Sequence, residues 1–159
     1  MAQRSRLSTG LSGVAGEYFV AAELSRRGSI ASITLRNTRG IDILASESEA
    51  TTSVGIQVKT NQGDGNEWML NQKIEEETPS KAKNLFYVFV RLHGLETPEY
   101  YVVPRKAVIK FASENHQRWL ATPGRKGQPH QDTPMRKFAD PKNKYKDRWD
   151  LLGLGDPAT

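Results

Sequence analysis

The chain contains no cysteine. That absence excludes disulfides, thiolate nucleophiles and zinc–thiolate sites, and it fits a cytoplasmic address. No apolar run approaches the roughly 18 residues that a membrane-spanning helix needs. The opening residues Met1-Ala2-Gln3-Arg4-Ser5-Arg6 are basic but lead into no apolar stretch of the signal-peptide type. Histidine is scarce: His93, His116 and His130 stand at no metal-binding spacing and read as surface residues.

What is present describes an ordinary folded protein. The 159 residues are 36% hydrophobic and 26% charged, enough for one domain with its own core. Lysine and arginine outnumber the acids by 23 to 18, and this net charge of +5 favours polyanionic partners.

Residues 1–10 read as a basic arm. From Leu11 to Gly28 the pattern is helical: Leu11, Val14, Tyr18 and Ala22 recur at helical spacing, Ser8 and Thr9 are candidate caps, and Gly28 is the stop. Ile30 to Leu35 reads as a strand and Asn37 to Gly40 as a turn. Two short strands follow, Gly40 to Ala45 and Gly55 to Thr60, and their short polar connection predicts an antiparallel hairpin. Glu67 to Leu70 is a strand around Trp68. Glu75, Glu76 and Glu77 read as a solvated face, and Ser80 to Asn84 as a helical turn. Leu85 to Leu92 is the clearest buried strand, with Tyr100 to Val103 as its hairpin partner. A second helix starts at Pro104, a favoured first helical residue, and carries Val108, Phe111, Ala112 and Trp119 to about Leu120.

Residues 121–148 hold four prolines, two glycines and eight basic residues against three acids. They read as an irregular basic extension, with Trp149, Leu151, Leu152 and Leu154 docking back on the core. The chain thus divides into a core over 1–120 and an extension over 121–159. The element order points to an α/β fold bordering on α+β.

The two central strands carry the chemistry. Strand alternation places Gln57 and Lys59 on one face and Ile56 and Val58 on the other; Asp42 faces away from Ile41 and Ile43. Paired strands bring Asp42 towards Gln57 and Lys59. Burying such groups unpartnered costs several kcal/mol, and an Asp42–Lys59 ion pair is one structural way to satisfy them. Glu17 adds a second carboxylate. Its helical neighbours Val20, Ala21 and Leu24 form an apolar stripe, whereas Glu23 sits with Arg26 and Arg27 on a solvated face. An inward Glu17 needs a metal ion, a backbone donor or a lysine, Lys59 among them. Trp68 and Tyr87 are more natural as core rings than as base-stacking platforms.

Glu17 on the first helix, then Gly40-Ile41-Asp42, then Gln57-Val58-Lys59 together resemble the PD-(D/E)XK nuclease superfamily. Archaeal Holliday-junction resolvases and methyl-directed restriction endonucleases are the nearest in style, over residues 11–60. Ile41 stands where proline is usual, and Gln57 where an acid is usual, a QxK variant of the motif. The resemblance implies a restriction-endonuclease-like fold, a central mixed sheet flanked by helices, and a metal-dependent endonuclease hydrolysing phosphodiester bonds in DNA. It implies that Asp42, the Gln57 side-chain oxygen, the Val58 carbonyl and Glu17 hold Mg²⁺ or Mn²⁺. It further implies that Lys59 stabilises charge on the phosphate or positions the attacking water, and that Thr60 contacts a phosphate. Arg39, Arg125 and Lys126 are further candidate phosphate contacts. Neutral Gln57 leaves the centre one anionic ligand short, which lowers metal affinity unless Glu17 contributes. The implied partner is DNA, and two cuts in a duplex need two centres, which a homodimer supplies. The alternative is a non-catalytic nucleic-acid-binding or protein-interaction module that keeps the fold, with Asp42 and Lys59 as a buried pair.

Overall fold

Helix α1 (Thr9–Arg26) begins at Ser8, whose hydroxyl accepts the Leu11 N–H at 3.2 Å, and ends before Gly28, which takes a φ of +85°. That is the capped start and glycine stop the sequence predicts. The computed structural model describes residues 6–35, 40–76 and 83–155. Arg39, Glu77 and most of the turns expected at 37–40 and 80–84 lie outside the described residues.

Strands β1 (Ile30–Ile33), β2 (Ile43–Ser46) and β3 (Ser53–Asn61) form an antiparallel meander. Strand β4 (Glu67–Asn71) leaves this sheet, followed by a 3-10 turn over Gln72–Glu76. Strand β5 (Leu85–Arg91) then pairs parallel to β3, and β6 (Glu99–Pro104) antiparallel to β5. The five-stranded mixed sheet therefore runs β1-β2-β3-β5-β6. Helix α2 (Arg105–Ala121) follows directly, with Pro104 as its N-cap residue rather than its first helical one.

The sheet is buried on both faces. On one face Val20 and Leu24 of α1 pack with Ile43, Ile56, Val88 and Val90. On the other, Tyr87, Phe89, Tyr101 and Val103 pack under Val108 and Ala112 of α2 and under Trp68 of β4. Trp68 is a core residue, as expected: its indole N–H donates to the Val90 carbonyl at 3.0 Å and its ring lies 5.1 Å from Phe89.

Several expectations are overturned. First, the buried stripe of α1 is Ser12, Gly16, Val20 and Leu24, while Leu11 and Tyr18 are 61% and 64% exposed. A Cβ at Gly16 would overlap Thr60 Oγ1, so the helix faces β3 with its smallest side chains in order to approach it closely. Second, the extension is not irregular throughout. Strand β7 (Met135–Ala139) pairs antiparallel with β4 in a separate ribbon, placing Phe138 4.4 Å from Phe89. Arg136, buried on the same side, is held by Glu75 through two bonds of 2.8 and 3.2 Å, so Glu75 is not a solvated charge. Third, His116 is buried, with Nε2 2.7 Å from Asp132 Oδ1. Glu23 also departs from a solvated face: it bridges Arg26 and Arg27, each at 3.4 Å, with its own side chain only 16% exposed.

Three of the four residues expected to dock at the end of the chain reach the core, while Leu151 stays half-buried. Trp149 and Leu152, in a 3-10 turn over Trp149–Leu152, and Leu154 join the α1-side core. Arg27 lies over the Trp149 ring at 5.0 Å, and Tyr100 packs against it at 5.4 Å. Burial, with a smaller push from Glu23, raises the Tyr100 hydroxyl to about 12. Lys146 bonds Glu99 and holds that carboxyl below its ordinary range. This pairing contributes above the ordinary glutamate pKa and is lost as the pH falls through the lowered value.

Trp149 Nε1 is buried without a hydrogen-bond partner, so the ring anchors the terminus by packing alone. Trp149→Ala is expected to lower stability by about 3–5 kcal/mol. Trp149→Phe, which keeps a ring and removes the unsatisfied N–H, is expected to cost clearly less. Urea denaturation followed by circular dichroism checks the order; an alanine variant as stable as the parent would show that the terminus does not dock.

Candidate functional site

The main-chain ladder between β2 and β3 runs from Ser46–Ser53 to Ile43–Ile56 and then ends. Asp42 N–H still donates to the Ile56 carbonyl at 2.8 Å. The next β3 amide, Val58 N–H, is taken by a side chain: it donates to Asp42 Oδ2 at 2.7 Å. Strand β1 stays with the departing segment, since Thr34 N–H donates to the Asp42 carbonyl at 2.9 Å. From Gln57 to Asn61, β3 keeps β5 on one edge. Regular alternation breaks here: Ile43 lies in the α1-side core and Ile41 reaches the opposite face beside Gly55, so Asp42 turns under α1 and not to the face of Gln57 and Lys59 that alternation predicts.

Three adjoining clefts surround this point. Glu17 and Asp42 line the first, of about 260 Å³, together with Gly13 and Thr34. Gln57 and Lys59 line the second, of about 330 Å³, with Gly40, Lys73 and Arg105. Val58, Lys59 and Thr60 line the third, of about 780 Å³, under Thr9 and Gly13 of α1. Gly13 joins the first cleft to the third, and Lys59 joins the second to the third. Glu17 thus comes together with Asp42, and Gln57 with Lys59. The two pairs are linked through the Asp42–Val58 bond and not by one shared cavity. Gly40, at a φ of +62°, leaves room beside Gln57, whose Oε1 lies 3.7 Å from where a Cβ would stand.

The Asp42–Lys59 ion pair does not form; among the described residues Asp42 is held by the Val58 amide instead. The Thr60 hydroxyl is not presented to solvent, because Oγ1 is buried against Gly16 with no hydrogen-bond partner. Arg125 and Lys126 lie away from the clefts, exposed on a turn closed by Gly127 N–H donating to the Gly124 carbonyl at 2.8 Å. Arg105 and Lys73 escaped the sequence reading. Arg105 is a buried cation in the first turn of α2, lying over the Tyr87 ring at 5.8 Å. Its signal was in the sequence: a cation beside the positive end of a helix is unfavourable unless an anion shares the site.

The groups in the first two clefts that could ligate a cation are oxygens: the carboxylates of Glu17 and Asp42, the amides of Gln57 and Asn71, and the hydroxyls of Thr9 and Thr34. Among the described residues no three Asp, Glu, His or Cys side chains gather as a closed metal cage. Such a sparse, hard-oxygen set fits a cation like Mg²⁺ that keeps several of its waters, and does not fit zinc.

No protein-family model and no curated protein matches the chain. Solved structures do, among them two that align over almost the whole chain. The Holliday junction resolvase Hjc of Archaeoglobus fulgidus, a hyperthermophilic archaeon, aligns over 91% of this chain and 98% of its own, with a TM-score of 0.54 and 14% identity. A bacterial homing endonuclease aligns over 92% of each chain, with a TM-score of 0.53 and 14% identity. The fold is restriction-endonuclease-like, as the motif resemblance implies.

The tether predicts how Asp42 variants behave. Asp42→Ala strands the Val58 N–H and is expected to cost about 1–3 kcal/mol, while Asp42→Asn keeps an acceptor and costs less. A buried ion pair would instead make the alanine change cost about 3–5 kcal/mol. Chemical denaturation of the two variants and of Lys59→Ala separates these outcomes; a large loss in Asp42→Ala cancelled by adding Lys59→Ala would contradict the tether.

Proposed function

We propose that the chain is a metal-dependent endonuclease that hydrolyses phosphodiester bonds in DNA, with Glu17, Asp42, Gln57 and Lys59 at its centre. The observation that carries this reading is the Asp42–Val58 bond, which fixes a carboxylate beside the strand segment bearing Gln57 and Lys59. Glu17, Asp42, the Gln57 oxygen and the Val58 carbonyl would hold a divalent cation, Mg²⁺ or Mn²⁺. When bound, such an ion supplies a water of lowered pKa and positive charge near the phosphate.

The side chains do the rest. Lys59, shared by two clefts, sets an ammonium where negative charge grows as water adds to phosphorus and the leaving oxygen departs. Arg105 and Lys73 add positive field on the same side. Asp42 stays oriented because one oxygen is committed to the backbone. The open clefts leave room for a strand of nucleic acid. DNA is the partner this charge pattern favours, and a homodimer would supply the second centre for a double-strand cut. No helix among the described residues is long and apolar enough to cross a membrane, in keeping with a cytoplasmic enzyme. The non-catalytic alternative counted on a buried Asp42–Lys59 pair, and those residues are not paired.

A panel of labelled branched, methylated, single-stranded and duplex DNAs, incubated with Mg²⁺ or Mn²⁺, tests the reading. The parent is expected to cut at least one. Lys59→Ala should be slower by about 100-fold or more, and Asp42→Asn inactive, both with unchanged circular dichroism. A parent that cuts none of them would overturn it.

A further inference from the structure

Beyond the nuclease centre, the C-terminal half of α2 and the β4–β7 ribbon enclose a second groove of about 420 Å³. Its floor is apolar and open: Met69 and Met135 are each about half exposed, and Trp119 is 38% exposed. Large apolar side chains exposed singly are ordinary, whereas three gathered in one concave patch mark a binding surface. Trp119 is also fixed in place. His130 stacks on it with ring centroids 4.1 Å apart, and His116, pinned by Asp132 at 2.7 Å, stacks at 5.5 Å. Helical spacing alone assigns Trp119 to a core stripe; the structure turns it outward instead.

The rim is cationic. Arg118, Arg136 and Lys137 line the groove, and exposed Arg125 and Lys126 stand in the sequence between Trp119 and the His130 that stacks on it. The nearby acids are already engaged: Asp132 by His116, Glu75 by Arg136, and Glu67 by Lys137 at 2.9 Å. The Glu67–Lys137 pair is largely solvent-exposed, so Lys137 is cheaply redirected.

We propose that this groove binds an unpaired nucleobase of a single-stranded nucleic acid. An aromatic wall and a thioether floor take a flat ring without demanding its sequence, and the basic rim takes the phosphates on either side. A regular duplex keeps its bases stacked inside and cannot present one here. An apolar peptide would use the floor but gain nothing from the rim. Met69 lines both this groove and the large cleft that holds Lys59, so one strand can pass from the cutting centre to the base site. The choice of DNA rests on the nuclease reading; the base site itself does not.

Tryptophan fluorescence tests the inference without metal and without cleavage. Trp68 and Trp149 are buried, so Trp119 is the indole that solution ligands reach. A short single-stranded oligothymidylate is expected to quench the emission, and a blunt duplex of equal length to leave it nearly unchanged. Fluorescence anisotropy of the labelled oligonucleotide should show about tenfold weaker binding in Trp119→Ala, a similar loss in Met135→Glu, and recovery in Trp119→Phe. Both positions are exposed enough for the variants to fold, which circular dichroism checks. Binding unchanged in Trp119→Ala and Met135→Glu would overturn the proposal. So would equal quenching by heparin, or quenching by an apolar peptide alone. A chain that cuts nothing but shows the expected pattern would remove the nuclease reading and leave the base site standing.

Discussion

One hydrogen bond organises the functional end of this molecule: the Val58 N–H donating to a carboxylate oxygen of Asp42. A buried strand amide must find an acceptor, and the usual one is a carbonyl on the neighbouring strand. Here the neighbour is leaving, drawn away with β1, and its side chain fills the role its backbone gives up. Two consequences follow from this geometry. The edge of β3 opens into clefts where Gln57 and Lys59 are reachable, and a negative charge is fixed at their border. A main-chain acceptor would have satisfied the amide equally well and left no charge.

The rest of the fold serves to hold β3 rigid while that edge opens. Parallel pairing with β5 anchors its other edge along seven residues, from Gly55 to Asn61. Helix α1 presses on one face, closely enough that Gly16 meets Thr60. Helix α2 and the β4–β7 ribbon cover the partner strands on the opposite face, leaving Gln57 and Lys59 partly open between them and the site. The buried arginine at the start of α2 lies over the Tyr87 ring in the cleft that Gln57 and Lys59 line.

The order of elements and the β2–β3 hairpin were legible in the sequence because alternation and turn composition are local. That Asp42 reaches β3 followed from the same hairpin, but the side of the sheet it takes did not. What escaped depends on contacts between distant segments. Half of the buried stripe of α1, Val20 and Leu24, was legible beside Glu17; Ser12 and Gly16 were missed because close approach to a strand selects small residues over larger apolar ones. Strand β7 was missed because Met-Arg-Lys-Phe-Ala is a poor strand by composition, and its Arg136 is buried only by virtue of Glu75, sixty-one residues earlier. His116 was read as exposed because nothing local announces that Asp132 will return to meet it. Of the candidate site, the shared cleft of Gln57 and Lys59 and the inward turn of Glu17 were legible. The division of the site residues between clefts, the missing Asp42–Lys59 pair and the part of Arg105 were not.

Gln57 is where the account is most exposed to test. A neutral oxygen donor across the Asp42–Val58 bond from two carboxylates would make a weak cation site, and an acid at that position would strengthen it. Calorimetric titration of Mn²⁺ into the parent chain and into Gln57→Glu measures this directly. The account predicts weak binding by the parent, binding tightened by about tenfold or more in Gln57→Glu, and none in Asp42→Asn. Affinities that are the same in all three would contradict it, because the cation would then be held somewhere other than the edge that Asp42 opens.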